Sequence, residues 1–255
     1  NAYFFPITGA DGVWHHVKGM VYALPFADFE SKQIISQFRQ YPPLIGLLYG
    51  WLISAGVARV TVFFPVLYLC LLYIFYYRCY EHVKSSTIAG IATLILGTTP
   101  YLWWHSFLPF LDWSAGVFYA VGILYWFLLI KNILEPTQNI SAKQNRSLAV
   151  LSGLLFGLAS WTRPEFVLYS AVPLFLLIAV FDCQKEFIGE RNPVIIRFSI
   201  AALILPSLWF SVLLNFDGSL DTSFKLLIIA CAGLWIGLGL VLTRIVHLVP
   251  RVAMA

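Results

Sequence analysis

Val60–Tyr77 reads VTVFFPVLYLCLLYIFYY, and Arg78 follows it. These eighteen residues carry no charge, and a helix of about 20 apolar residues crosses the hydrocarbon core of a bilayer. The tail after the run, RCYEHVK from Arg78 to Lys84, is the basic flank that membrane topology places on the cytoplasmic side. Outward from this stretch the pattern repeats. Thr87–Trp103, Trp113–Ile130, Leu148–Trp161, Phe166–Phe181, Val194–Leu214 and Leu226–Val246 are further apolar runs, so seven spans are expected, some of them short. Tyr41–Gly56, YPPLIGLLYGWLISAG, is short for a span and reads as a shallow or re-entrant helix started by its two prolines.

Composition agrees. Of 255 residues, 60% are hydrophobic and 11% charged, whereas soluble domains carry roughly 25% charged residues. Mean hydropathy is +0.82. The expected fold is all-α: a polytopic transmembrane helical bundle of residues 60–255, preceded by an outer-face amphipathic juxtamembrane region at 1–59. The net charge of +4 does not point to nucleic acid, because the basic residues are scattered and flank apolar runs. Cys70, Cys79, Cys183 and Cys231 lie in or beside apolar runs without metal or disulfide spacing, and read as small apolar fillers. The chain opens at Asn1 in polar-aromatic sequence without a visible signal peptide, so a fragment or processed chain lacking an upstream span is expected.

The loops fix an orientation. With the loop after Val60–Tyr77 in the cytoplasm, that side holds Arg78, Lys84, Lys131, Lys143, Arg146, Lys185, Arg191, Arg197, Arg244 and Arg251. The opposite loops between spans hold Arg163 and Lys225. The rule that cytoplasmic loops are positive then puts Asp11, Asp112, Arg163, Glu165, Asp217 and Asp221 on the extracytoplasmic face. The sequons Asn139-Ile-Ser141 and Asn145-Arg-Ser147 fall in a cytoplasmic loop and read as chance matches; glycan on either would invert the topology.

Residues 1–41 are mixed in character. GVWHHVKGMVYAL spaces Val13, Trp14, Val17, Met20, Val21 and Leu24 on one helical face, with His15, His16 and Lys18 mostly off that stripe. This is the pattern of a helix lying on a membrane surface. A second amphipathic piece, DFESKQIISQFRQ, follows.

Several outer-face residues could carry chemistry. Thr8-Gly-Ala-Asp11 has capping-box-like spacing, which explains Asp11 structurally; the functional reading is a general base or a metal ligand held at the membrane surface. Asp112, just before the run that starts at Trp113, reads as an N-cap, yet it is also the acid of the aromatic loop PYLWWHSFLPFLDW. His105 in that loop reads as an interfacial residue or as a catalyst. Thr162-Arg-Pro-Glu165 reads as a capping box with proline at the first helical position. That leaves Arg163, a cation where a helix dipole is already positive. It makes sense if an anion such as phosphate is shared with the helix amides, or if the side chain snorkels to lipid headgroups.

The order of these features resembles the membrane glycosyltransferases of the GT-C fold, in the subgroup containing protein O-mannosyltransferases and the bacterial aminoarabinose transferase. The resembling motifs are an acid in the first outer loop (Asp11), amphipathic helices, QYPPLIGLLYGWL from Gln40, a span ending in YYRCYEHVK, GTTPYLWWHSFLPFLDW with Asp112, and GLASWTRPE. The resemblance covers nearly the whole chain. It implies transfer of a sugar, with inversion, from a polyprenyl-phosphate donor to an acceptor hydroxyl of a protein, lipid or glycan. Asp11 is then the base, and Asp112 orients the acceptor or helps to hold sugar or metal. Arg163 holds the donor phosphate with Arg39 or His16, and His15, His105 and Glu165 are secondary site residues. A divalent metal is optional, with Asp11 and Asp112 as its ligands. The chain departs from the pattern at Gly12, where relatives often carry a second acid, and at Gln40, where some carry a lysine.

Two other classes stay open. A lipid or solute transporter would place ionisable residues at the membrane midplane, whereas these acids lie in loops. A non-catalytic membrane subunit would bind lipid phosphate without a base.

Overall fold

The computed structural model describes residues 13, 16–20, 42–57, 59–108, 110–135, 141–183 and 188–215. Among these the regular structure is helical. After a helical segment at 16–20, the elements are α1 (Leu44–Ser54), a 3-10 turn (Val60–Val62), α2 (Phe63–Val83), α3 (Ser86–Thr98), α4 (Pro100–His105), α5 (Leu111–Leu134), α6 (Ala142–Thr162), α7 (Phe166–Tyr169), α8 (Ala171–Cys183) and α9 (Ile188–Asn215). They fall into two compact units, Asn1–Val121 and Gly122–Ala255, with the boundary inside α5.

Three helical stretches among the described residues are long and apolar enough to cross a membrane: Val60–Val83, Leu111–Leu134 and Gly189–Ser211. They leave large apolar side chains exposed, which is compatible with a membrane protein. Leu69 and Tyr73 on α2 and Ile196, Ile200 and Leu208 on α9 are exposed. Large apolar side chains in such numbers are rare on the surface of soluble monomers.

The other expected spans come out differently. Thr87–Trp103 is broken into α3 and α4, because the residue before a proline is pushed out of helical geometry; Thr99 has ψ of 118° ahead of Pro100. Phe166–Phe181 is interrupted at Ser170 between α7 and α8. Leu148–Trp161 lies within α6, a 21-residue helix whose first turns are polar. Tyr41–Gly56 yields the 11-residue α1. Leu226–Val246, the piece DFESKQIISQFRQ, and Asp217 and Asp221 lie outside the described residues.

In the first unit, α2 and α3 form a hairpin. Lys84 closes α2 in the left-handed conformation, at φ 56°, and the Ser85 hydroxyl accepts from the Ile88 amide to open α3. The Tyr68 hydroxyl donates across the hairpin to the Gly97 carbonyl. The segment at 16–20 seats on α1 through Gly19, where an added Cβ would lie 2.5 Å from Tyr49 Cβ. The contact leaves part of the amphipathic stripe open, as a helix on a membrane surface would need. Val13 and Met20 of the apolar stripe are exposed, while Lys18 and Gly19 are buried.

In the second unit, α6 and α9 pack backbone to backbone. A Cβ at Gly153 would sit 2.6 Å from the Phe198 carbonyl oxygen, and one at Gly157 would sit 2.9 Å from the Ala201 carbonyl oxygen. Gly153-Leu-Leu-Phe-Gly157 is a GxxxG pair, whose missing side chains let the two backbones approach closely. Ala201 and Ala202 oppose it and are buried. Pro206, inside α9, lacks the amide that would bond the Ala202 carbonyl. That carbonyl lies against Gly157. Ser152, Ser160 and Thr162 bury their hydroxyls by donating to carbonyls three or four residues back on α6. The Asn132 side-chain amide donates to Asn145 Oδ1 at 3.2 Å. Asn145 is buried, so its sequon is not presented for glycosylation.

Candidate functional site

The first unit holds a connected cluster of rings with polar atoms facing inward. His16 meets Tyr49 edge-on at 6.2 Å between centroids. Tyr49 meets Phe64 at 6.3 Å, and Phe64 meets Trp113 at 6.3 Å. Trp113 also lies 6.2 Å from Tyr68. Four elements converge here: the segment at 16–20, α1, α2 and the start of α5. Tyr49 is 0% exposed and Trp113 5%. Three polar atoms of the cluster are buried without a hydrogen-bond partner: His16 Nδ1, the Tyr49 hydroxyl and Trp113 Nε1. Nearly all buried polar groups in folded proteins are satisfied, so three in one cluster call for an explanation.

Lys18 belongs to the same segment and is 3% exposed. Burial lowers its ammonium pKa to about 8 and lowers that of His16 too. Indole N–H is a donor only, lysine ammonium offers three donors, and the tyrosine hydroxyl can donate. Of the three unpartnered atoms only the Trp113 indole N–H must donate; the Tyr49 hydroxyl can donate or accept, and so can His16 Nδ1 according to its tautomer. A group rich in acceptors, such as a phosphate, is one chemistry that would satisfy all three as donors.

Asp112 sits in the first turn of α5, one residue before Trp113. It is not the N-cap that the sequence suggests, because the helix begins at Leu111. A carboxylate in a first helical turn is favoured by the helix dipole. Its side chain is exposed. His105 ends α4, with Nδ1 2.8 Å from the Tyr101 carbonyl oxygen and its ring 4.1 Å from the Tyr101 ring. This contact makes Nδ1 the protonated nitrogen and fits the interfacial reading. Asp11, His15 and Arg39 lie outside the described residues.

Arg163 and Glu165 belong to the second unit, and their local structure overturns the capping-box reading. Thr162 is the last residue of α6, and its hydroxyl donates to the Leu158 carbonyl at 2.8 Å. Arg163 is the C-cap of α6 in extended backbone, its amide bonded to the Ala159 carbonyl. A cation at the C-terminus of a 21-residue helix is at the favourable end of the dipole. The guanidinium also has an anion close by, since Arg163 Nε donates to Glu165 Oε1 at 2.8 Å.

The structure therefore gathers His16 with the start of the helix that bears Asp112, and it adds Lys18, Tyr49 and Trp113. Arg163 and Glu165 pair with each other in the second unit. Among the described residues no group of three or more His, Cys, Asp or Glu side chains could hold a metal. No family model, curated protein or solved structure matches the chain.

Proposed function

We propose that the chain is a polytopic membrane glycosyltransferase that moves a sugar from a polyprenyl-phosphate donor to an acceptor hydroxyl, with inversion, on the extracytoplasmic face. The observation that carries this is the ring cluster whose His16 Nδ1, Tyr49 hydroxyl and Trp113 Nε1 are buried without partners, with buried Lys18 two residues from His16 and Asp112 one residue from Trp113. The order of motifs in the sequence, from Asp11 through YPPL to GLASWTRPE, supports the choice of reaction.

In the proposed reaction the Asp11 carboxylate takes the proton of the acceptor hydroxyl. The acceptor oxygen bonds to the anomeric carbon from the face opposite the phosphate. The bond from that carbon to the phosphate oxygen breaks, and its electron pair leaves with the polyprenyl phosphate. Negative charge grows on the leaving group, so fixed donors around it stabilise the transition state more than the ground state. Lys18, Tyr49 and Trp113 are assigned that role with His16, and Asp112 is assigned to orient the acceptor. Arg39 is kept as a further phosphate ligand. The assignment of Arg163 to the donor phosphate rests on the sequence resemblance; in the structure it ends α6 and pairs with Glu165.

Tyr49→Phe tests the phosphate grip. The hydroxyl it removes has no partner in the unliganded protein, so the variant is expected to be as stable as the parent, or more so. A hydrogen bond to a charged group contributes about 1.5–3 kcal/mol, so polyprenyl-phosphate affinity should fall at least about tenfold. Unchanged affinity in a folded variant removes the cluster from the donor site. The second reading, a lipid-phosphate-binding subunit without catalysis, uses the same cluster and is favoured by Gly12, which stands where relatives often carry a second acid. Binding without turnover of any donor would select it.

A further inference from the structure

The second unit carries a groove that the proposed transfer reaction does not use. It has a volume of about 470 Å³ and is lined by Lys143, Arg146, Ser147, Val150, Leu151 and Leu154 of α6 and by Arg197 of α9. The α6 residues recur at three- and four-residue spacing, so they form one face of the helix. Along it the chemistry changes in one direction. Lys143 and Arg146 come first, Ser147 follows, and Val150, Leu151 and Leu154 continue for two turns. At 1.5 Å per residue, Lys143 and Leu154 are about 16 Å apart along the axis. The groove is charged at one end and apolar at the other.

The charged end is built rather than accidental. Arg146 is clamped bidentately by Glu190 of α9, with Nε to Oε2 at 2.8 Å and Nη2 to Oε1 at 2.6 Å. This fixes the guanidinium against the neighbouring helix and uses up the nearby carboxylate. Arg197 rises from the same stretch of α9, its Nη1 donating to the Pro193 carbonyl at 3.4 Å. Leu151 and Leu154 stay 40% and 38% exposed, so the apolar wall has surface left to cover.

We propose that this groove binds an anionic glycerophospholipid of the surrounding bilayer. Its phosphate sits among Lys143, Arg146 and Arg197, and an acyl chain lies along Val150, Leu151 and Leu154. Basic pockets between membrane helices on the cytoplasmic side hold anionic headgroups in this way. A free phosphate would meet the charged end but leave the apolar wall uncovered. A zwitterionic lipid would bring a cation towards a groove where Lys143 and Arg197 remain positive after Glu190 neutralises Arg146. The proposal rests on the membrane reading of the chain and is independent of the transferase reading.

The test uses the full chain in phosphatidylcholine nanodiscs with and without phosphatidylglycerol, reading lipid association by spin-labelled analogues of each. The parent should prefer phosphatidylglycerol by on the order of tenfold. The Lys143→Gln/Arg197→Gln double variant, which leaves the Arg146–Glu190 clamp in place, should lose that preference, and high salt should weaken it. Equal association of the two lipids, or an unchanged preference in the double variant, overturns the proposal. Full displacement of phosphatidylglycerol by millimolar inorganic phosphate would assign the charged end to a free anion instead. Should the double variant fail to fold, a photoactivatable phosphatidylglycerol on the parent decides the matter. Label within 143–154 or at Arg197 supports the site, and label confined elsewhere contradicts it.

Discussion

Lys18 is a lysine kept almost wholly out of water, 3% exposed, on a helical segment whose apolar residues Val13 and Met20 face outward. Burial penalises its charged form and brings the pKa from the ordinary 10.5 down to about 8. Between those two values the unfolded chain binds more protons than the folded one, so folding stability should rise with pH across that window. Lys18→Met should flatten the rise in a denaturation series from pH 8 to 10. The same titration bears on function. The ammonium is charged below about 8, so anion binding by the cluster should weaken as pH rises through that value. A second residue-scale result concerns Arg163. In the sequence it looks like a cation at a helix N-terminus waiting for an anion. In the structure it is the C-cap of α6 and is bonded to Glu165. Its side chain is 19% exposed and that of Glu165 is 39%, so solvent screens the pair and its coupling should be within about 1 kcal/mol. A double-mutant cycle of Arg163→Ala and Glu165→Gln on stability measures it. The misreading has a physical source: a Thr-x-x-Glu spacing fits both a capping box and a helix end followed by a tight turn, and only the direction of the Thr162 hydroxyl distinguishes them.

Among the elements, α6 and α9 are the pair whose contact is most sharply specified. Gly153 and Gly157 face Phe198, Ala201 and Ala202 with no room for a side chain. Even Gly153→Ala forces the backbones apart, and Gly157→Val should destabilise by about 1–3 kcal/mol through overpacking. A fall in the thermal unfolding midpoint of both variants, with Gly116→Ala as a control where a Cβ meets nothing within 4 Å, checks this. The apolar runs were legible as helices because their length and composition survive any packing. Their interruptions were less so. Pro100 could have located the break at Thr99, since the residue before proline resists helix. Pro173 could likewise have pointed to the break at Ser170, since it has no amide for the Tyr169 carbonyl. The GxxxG of α6 was also visible in principle, but small residues in an apolar run announce a close contact without naming the partner.

For the whole molecule, the described part is helical with an apolar exterior, as the composition implied. The candidate site was legible only in part. His16 and Asp112 stand out as ionisable residues beside apolar runs. Lys18 sat off the apolar stripe and was not singled out, because amphipathic spacing reports which residues share a face and not which face the protein covers. Tyr49 and Trp113 look like ordinary aromatic filling until their unpartnered hydroxyl and indole N–H are seen together. What gives these atoms a common purpose is the proposed leaving group, a lipid phosphate whose charge grows during transfer. The direct measurement is release of polyprenyl phosphate from polyprenyl-phosphate mannose and polyprenyl-phosphate aminoarabinose by membranes carrying the full chain or its Asp11→Asn variant. The account predicts release from at least one donor by the parent and none above background by Asp11→Asn, at equal expression and equal polyprenyl-phosphate affinity. Equal release by the variant, or no release from either donor by a parent that binds polyprenyl phosphate, would contradict it.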